Sequence, residues 1–155
     1  MDKDLIKSFF DNNLKNITIT CNTEDDTKEL GYEFAKYLHI EDIVVLTGEL
    51  GSGKTVFVNG FAKYYGVENE VSSPTFTIVN EYNGKNNTTI YHFDTYRLKD
   101  EYDFENTIGL DYFSNGISLI EWGEIIKNIL PKKTIYINII KKENSLREFN
   151  ISREV

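Results

Sequence analysis

The eight residues GELGSGKT, from Gly48 to Thr55, follow a short apolar run and precede a helical pattern. They fit G-x-x-x-x-G-K-[ST], the pattern of a loop that binds nucleotide phosphates. Glycines let such a loop curl so that several backbone N–H groups point at one phosphate, and the dipole of the following helix adds attraction. The alternative is a glycine-rich turn without a ligand, but the strand before it and the helix after it favour the phosphate loop.

Two side chains of this loop carry the chemistry that a nucleoside triphosphate needs. We predict that Lys54 faces solvent, toward the phosphates, and places its charge on the β- and γ-phosphate oxygens. We predict that the hydroxyl of Thr55 is a ligand of Mg²⁺. Lys54 is therefore a candidate catalytic residue, and Thr55 is a candidate metal ligand.

Apolar and β-branched runs on both sides of the loop predict the other elements. The predicted strands are Ile17–Cys21, Ile43–Thr47, Thr75–Tyr82, Thr88–Tyr96, Ile117–Glu121, Thr134–Ile140 and Leu146–Ile151. Helices are predicted near the start, after a Thr23 cap, over Val56–Tyr65, in two pieces around Gly109, and over Glu124–Leu130. This order mixes strand–helix–strand crossovers with hairpins, and the last two strands are expected to pair at a sheet edge. We therefore expect an α/β, P-loop NTPase-like three-layer domain with a mixed parallel and antiparallel central sheet flanked by helices.

Composition restricts the class of protein and of partner. The 155 residues predict one domain over residues 1–155, and the single cysteine, Cys21, is expected to be a small buried hydrophobe. The first residues do not resemble a signal peptide and no apolar run is long enough for a membrane span, so we expect a cytoplasmic protein without membrane contact. The net charge of −8 disfavours direct binding of nucleic acid.

Two lysine pairs, Lys132-Lys133 and Lys141-Lys142, flank one predicted strand. They form either a docking point for an acidic partner or a solvated strand edge, and the sequence leaves both interpretations open.

The sequence favours ATP over GTP, since no N-K-x-D segment for guanine is present. Small-molecule kinases of the P-loop class commonly close an arginine-rich lid over the transferred phosphoryl group. Such a lid cannot be built from the three arginines of the chain, which are Arg97, Arg147 and Arg153.

Two carboxylates end strands that are predicted to neighbour the phosphate-loop strand. Asp94 follows the run Ile90–Phe93, and Glu121 follows Ile117–Ile120. Carboxylates at the phosphate end of such a sheet can serve Mg²⁺ or the attacking water, so both are candidate catalytic residues and metal ligands. His92 shares a strand face with Asp94, and it either orients Asp94 or is a hydrogen-bonded structural histidine.

Five segments in order resemble a known family. They are GELGSGKT, VSSPTFTIVNEY (Val71–Tyr82), YHFDTYRL (Tyr91–Leu98), IGLDYF (Ile108–Phe113) and LIEWGE (Leu119–Glu124). Together they are similar to the bacterial TsaE (YjeE) family of small ATPases, which act with TsaD and TsaB to make threonylcarbamoyladenosine in tRNA. The resemblance runs from about Thr23 to the C-terminus.

The resemblance implies a role for each matching residue. Residues Leu50, Gly51, Ser52, Gly53, Lys54 and Thr55 would wrap the phosphates of ATP. Thr55 and Glu121 would hold or orient Mg²⁺, with Asp94 as a direct or water-mediated ligand. Trp122 would lie beside the nucleotide, although a core aromatic is the equal alternative. A switch-like loop near the γ-phosphate would consist of Ser73, Pro74, Thr75 and Phe76.

The chain departs from the family pattern at Ser52, where alanine is usual, at Val56-Phe57, and at Thr95, where leucine is usual. Residues 1–16 are an N-terminal extension without a counterpart in the family, and we expect a short helix there.

The function expected from the resemblance is that of an ATP-binding and ATP-hydrolysing subunit for tRNA modification, weakly active alone and stimulated by TsaD and TsaB. Contact with tRNA is expected only indirectly, through this complex. A stand-alone small-molecule P-loop kinase is the alternative, and a nucleotide-gated binding module is a third interpretation.

Overall fold

The computed structural model describes residues 2–11, 14–67, 79–96 and 98–154. The strands in these ranges are β1 (Asn16–Cys21), β2 (Ile43–Gly48), β3 (Val79–Asn83), β4 (Thr89–Asp94), β5 (Ile117–Glu121), β6 (Ile135–Lys141) and β7 (Arg147–Ser152). The α-helices are α1 (Lys3–Asp11), α2 (Glu24–Ala35), α3 (Lys54–Tyr64), α4 (Glu101–Thr107) and α5 (Tyr112–Asn115), and a 3₁₀ helix covers Gly123–Ile129.

The strands form one sheet in the order β1-β7-β6-β2-β5-β4-β3. Strand β2 lies near the centre, parallel to both β5 and β6, and β4 is parallel to β5. The pairs β3–β4, β6–β7 and β1–β7 are antiparallel, which confirms the predicted mixed sheet. Because parallel strands end at the same edge of a sheet, β2, β4 and β5 bring Gly48, Asp94 and Glu121 to one edge.

The predicted pairing of the last two strands is confirmed, but their predicted position at the sheet edge is wrong. Strand β7 lies between β6 and β1, so β1 forms this edge. β1 pairs with β7 along its whole length, from Asn16 opposite Ser152 to Cys21 opposite Arg147. A strand pattern shows which face is buried but not which distant strand becomes its neighbour, so this pairing was not predicted.

Helix α3 begins at Lys54, two residues earlier than predicted. Helices α4 and α5 are the two predicted pieces around Gly109, whose φ of 87° separates them. The short helix before Pro131 is a 3₁₀ helix. No helix within the described ranges has both the length and the apolar character needed to cross a membrane.

Buried side chains cover both faces of the sheet. On one face, α1, α2 and α3 contribute to a core that includes Ile6, Phe9, Phe34, Phe57 and Phe61. On the other face, Phe93 packs with Phe104 of α4 and Ile126 of the 3₁₀ helix. A helical layer on each side of the sheet confirms the predicted three-layer α/β fold.

Helix α2 packs closely against α3. A side chain at Gly60 of α3 would collide with the backbone of Lys28 in α2, so only glycine permits this approach. Thr23 caps α2 as predicted, because its side chain accepts a hydrogen bond of 3.1 Å from the Asp26 amide. The start of α2 lies beside the start of α3, since a Cβ at Gly53 would be 3.8 Å from the Thr27 side chain.

Candidate nucleotide site

The phosphate loop connects the end of β2 at Gly48 to the start of α3 at Lys54. Gly51 and Gly53 have φ values of 77° and 115°, in the left-handed region that other residues rarely adopt. This conformation turns the chain immediately before the first turn of α3. The N-terminus of α3 and its unpaired amides therefore face the cleft that the loop encloses.

Lys54 is buried, which corrects the prediction that its side chain faces solvent. Only 7% of the residue is exposed. The ammonium donates a hydrogen bond of 2.6 Å to the carbonyl of Gly48 and lies 4.4 Å from the centre of the Trp122 ring. A buried ammonium needs such acceptors, and a carbonyl and an aromatic face supply them here.

Asp94 and Glu121 lie side by side, as expected for residues that end neighbouring parallel strands. Their Cα atoms are register partners between β4 and β5. Glu121 is buried, and Asp94 is partly exposed and accepts a hydrogen bond of 2.9 Å from the Tyr96 amide on Oδ1. Burial raises the pKa of Asp94 above its usual value; the Tyr96 amide opposes this shift, and the neighbouring charge of Glu121 adds to it.

His92 does not orient Asp94. Its Nε2 lies 2.6 Å from Oε2 of Glu121, in a pair that is buried on both sides. Of the two alternatives, the structure thus shows a hydrogen-bonded histidine, and its partner is the carboxylate of Glu121 in β5.

Trp122 follows Glu121 with a φ of 63°, an uncommon conformation for a residue other than glycine. The backbone is held there by Thr95, whose hydroxyl lies 3.1 Å from the carbonyl of Glu121 and 2.5 Å from that of Trp122. The Trp122 ring lies 5.8 Å from that of Tyr96 and lines the cleft. Trp122 is therefore beside the phosphate loop and not a residue of the central core. Thr95, a departure from the family pattern, has a structural role here.

The predicted site residues described so far line a single cleft of about 430 Å³. These residues are Leu50, Gly51, Ser52, Gly53, Lys54, Thr55, Asp94, Glu121 and Trp122. The volume is within the usual range of small-molecule sites. The predicted switch-like loop, Ser73 to Phe76, lies outside the described residues, as does Arg97.

Sequence reasoning missed a second wall of the cleft. It consists of Thr23, Glu24 and Thr27 at the start of α2, and of Ser145 and Arg147 near the start of β7. Arg147 donates from Nε to the carbonyl of Ser52 at 3.1 Å and from Nη2 to that of Gly51 at 3.5 Å. Since the chain has only three arginines, the scarcity of this residue was a signal that could have drawn attention to Arg147.

The candidate metal ligands are all oxygen atoms: the hydroxyl of Thr55 and the carboxylates of Asp94 and Glu121. Oxygen ligands suit Mg²⁺. Across residues 2–11, 14–67, 79–96 and 98–154, no cluster of three or more histidine, cysteine, aspartate or glutamate side chains could hold a metal ion. A cation in this cleft would therefore need the Thr55 hydroxyl, phosphate or water to complete its shell.

Comparisons with known proteins identify the family of this chain. The family model described as "Threonylcarbamoyl adenosine biosynthesis protein TsaE" matches residues 21–149. The tRNA threonylcarbamoyladenosine biosynthesis protein TsaE of Rickettsia conorii is 42% identical over 130 residues, which are 83% of this chain and 73% of that protein. The Bacillus subtilis protein of the same name is 38% identical over 135 residues, or 86% and 82% of the two chains.

The crystal structure of Bacillus subtilis YdiB aligns with a TM-score of 0.74 and 31% identity, over 91% of this chain and 87% of that one. The range matched by the family model contains the phosphate loop, Asp94, Glu121 and Trp122. The chain therefore belongs to the TsaE family of threonylcarbamoyl adenosine biosynthesis proteins.

Proposed function

We propose that this protein binds ATP with Mg²⁺ and hydrolyses it as a subunit of the machinery that makes threonylcarbamoyladenosine in tRNA. The observation that carries the proposal is that the phosphate loop, the Thr55 hydroxyl and two strand-end carboxylates line one cleft. This combination provides a cradle for phosphates and oxygen ligands for a divalent cation.

The cradle accounts for the binding of the triphosphate. The amides of residues 50–55 and the N-terminus of α3 attract the phosphates, and Lys54 supplies a positive charge at the β- and γ-phosphates. Its ammonium already contacts the Gly48 carbonyl and the Trp122 ring. The guanidinium of Arg147 supports the loop by donating hydrogen bonds to the carbonyls of Gly51 and Ser52.

The oxygen ligands fit Mg²⁺. When bound, this cation would neutralise charge on the phosphates. We assign Thr55 and Glu121 to the metal, since Glu121 is buried and is anchored by His92 at Oε2. We assign Asp94 to the orientation of the attacking water, because burial raises its pKa and thereby makes its carboxylate a better proton acceptor.

The relatives are named for the biosynthesis of threonylcarbamoyladenosine in tRNA, and this supports the same role here. We propose that the protein acts in the cytoplasm with TsaD and TsaB and reaches tRNA only through this complex. Its net charge of −8 favours such an indirect contact, because tRNA itself is a polyanion.

Reconstitution tests this function. ATP hydrolysis and tRNA modification are measured with purified TsaD and TsaB, with and without this protein. We expect slow hydrolysis by the protein alone, stimulation by TsaD and TsaB, and modification only when all three are present. Efficient phosphoryl transfer to a small molecule, without stimulation by the partners, would favour the kinase alternative.

Side-chain variants test the site in the same assay. We expect Glu121→Ala and Asp94→Ala each to lower Mg²⁺-dependent hydrolysis about 100-fold or more. Lys54→Ala is expected to weaken ATP binding. Lys63→Ala is its matched control, since Lys63 lies on the same helix and is exposed. Near-normal turnover in both carboxylate variants would remove these residues from the chemistry.

A further inference from the structure

We propose that His92 is a positioning residue that presets the carboxylate of Glu121 for the metal ion. The inference rests on the proposed function, in which Glu121 is a Mg²⁺ ligand. Nε2 of His92 lies 2.6 Å from Oε2 of Glu121.

The sheet register explains how this contact arises. The Cα of His92 is opposite that of Leu119, and the Cα of Glu121 is opposite that of Asp94. His92 therefore reaches forward to a side chain two residues further along the neighbouring strand. Successive side chains of a strand point to opposite faces of the sheet, so His92 shares a face with Ile90 and Asp94 in β4. His92 thus occupies the level between the carboxylates at the sheet edge and the apolar core.

The contact between His92 and Glu121 is buried, so water cannot replace it. His92 is fully buried and Glu121 is 3% exposed, so a carboxylate at this position requires hydrogen-bond donors from the protein. With a proton on Nε2, the ring donates to Oε2. Its other nitrogen, Nδ1, is buried and has no hydrogen-bond partner among the described residues. Of the two ring nitrogens, Nε2 is therefore the one that is hydrogen-bonded, and its partner is Glu121.

A core residue that only filled space would be better without an unpartnered ring nitrogen, because a buried polar atom without a hydrogen bond costs free energy. A role in orienting the metal ligand Glu121 accounts for the presence of a histidine at position 92. Fixing one carboxylate oxygen limits rotation of the Glu121 side chain before the cation binds. Loss of partners that orient metal ligands typically lowers metal affinity or activity about 10- to 100-fold.

Two substitutions separate the positioning role from mere filling of the core. His92→Gln keeps an N–H donor near the position of Nε2, whereas the shorter side chain in His92→Asn ends near the position of Nδ1 and cannot reach Glu121. Ile90→Val is the matched control, since Ile90 is fully buried on the same face of the same strand.

The first readout is independent of turnover. Binding of a non-hydrolysable ATP analogue is followed by the fluorescence of Trp122, the only tryptophan of the chain, while Mg²⁺ is titrated. For His92→Asn we expect half-saturation at roughly 10-fold higher Mg²⁺ or more, with binding of the analogue in the absence of Mg²⁺ changed less than about threefold. For His92→Gln and Ile90→Val we expect Mg²⁺ dependence within about threefold of the wild type.

Steady-state hydrolysis is the second readout. We expect His92→Asn to lower kcat roughly 10- to 100-fold at fixed Mg²⁺ with little change in KM, and His92→Gln to restore most of it. Equal effects of the Asn and Gln substitutions, or an unchanged Mg²⁺ dependence in His92→Asn, would overturn the proposal. If His92→Asn does not fold, His92→Gln decides: near-wild-type Mg²⁺ dependence supports the role and a 10-fold loss refutes it.

Glu121→Ala in the same titration distinguishes this inference from the proposed function. If Mg²⁺ dependence survives in Glu121→Ala, the metal role of Glu121 is wrong and the inference fails with it. If Glu121→Ala loses Mg²⁺ dependence while His92→Asn keeps it, only the positioning role is refuted.

Discussion

The ammonium of Lys54 lies 4.4 Å from the centre of the Trp122 ring. This contact links α3 to the end of β5, so the phosphate loop and the strand-end carboxylates share one wall. The positive charge rests against an aromatic face and the Gly48 carbonyl, both weaker partners than a triphosphate. An incoming triphosphate would therefore compete directly with Trp122 for the ammonium.

This contact predicts that Lys54→Ala weakens ATP binding at least about 10-fold, a loss of about 1.4 kcal/mol or more. The same variant should lose most of the change in Trp122 fluorescence that ATP causes in the wild type. Circular dichroism should show an intact fold, with Lys63→Ala as the control. ATP affinity within about threefold of the wild type would show that Lys54 is not the phosphate ligand.

Asp94 gives a prediction for stability and pH. Its folded-state pKa is raised by burial, so the charged form is disfavoured in the folded protein. The cost to folding stability is absent at pH well below the usual value of 3.8, grows as pH rises through the raised pKa, and is complete above it. Asp94→Asn retains an oxygen for the Tyr96 amide and removes the charge.

We therefore expect Asp94→Asn to raise the Tm of the nucleotide-free protein at pH 7 by about 1–3 °C. The difference should shrink as the pH approaches 3.8, where Asp94 of the wild type is increasingly protonated. Thermal unfolding of both proteins across this pH range is the measurement. A lower Tm for Asp94→Asn at pH 7 would mean that ionised Asp94 stabilises the fold.

Arg147 gives a prediction for the phosphate loop. Its guanidinium bonds two adjacent carbonyls, of Gly51 and Ser52, and a lysine cannot reproduce this fork. We expect Arg147→Lys to weaken ATP binding about 3- to 10-fold, the equivalent of roughly one typical hydrogen bond of about 1 kcal/mol. Calorimetric titration with ATP is the measurement.

Arg153→Lys is the matched control for Arg147→Lys. The guanidinium of Arg153 contacts the Phe9 carbonyl and ring in α1, away from the cleft. Its substitution should lower thermal stability and leave ATP affinity unchanged. The assignment of Arg147 to the loop would be wrong if both variants had the same ATP affinity as the wild type.

The isolated protein should not bind tRNA appreciably at physiological salt. Its net charge is −8, and one lysine of each predicted surface pair already faces a carboxylate. Lys133 lies 3.8 Å from Asp42, and Lys142 lies 3.2 Å from Glu148. Filter binding or fluorescence anisotropy with tRNA checks this, and a micromolar complex without partner proteins would contradict it.

The fold class could be predicted because its signals are local. The apolar run before Gly48, the glycines of the loop and the helical pattern from Val56 onward follow one another in the chain. Turn residues and periodicity likewise predict α4 and α5 on either side of Gly109. The phosphate loop and the two strand-end carboxylates could therefore be identified from residue type and spacing.

The sequence alone determined which side chains are candidates to bind phosphate and Mg²⁺, since charge, ligand atoms and the conformational freedom of glycine belong to the residue types themselves. Only the tertiary structure decided which side chains meet. It buried Lys54 against Trp122, paired His92 with Glu121 instead of Asp94, placed β7 between β6 and β1, and thereby brought Arg147 to the loop. The side-chain contacts among these join residues that are between 29 and 96 positions apart in the chain. The free energy of such long-range packing is set by the whole core, which no local pattern of residues specifies.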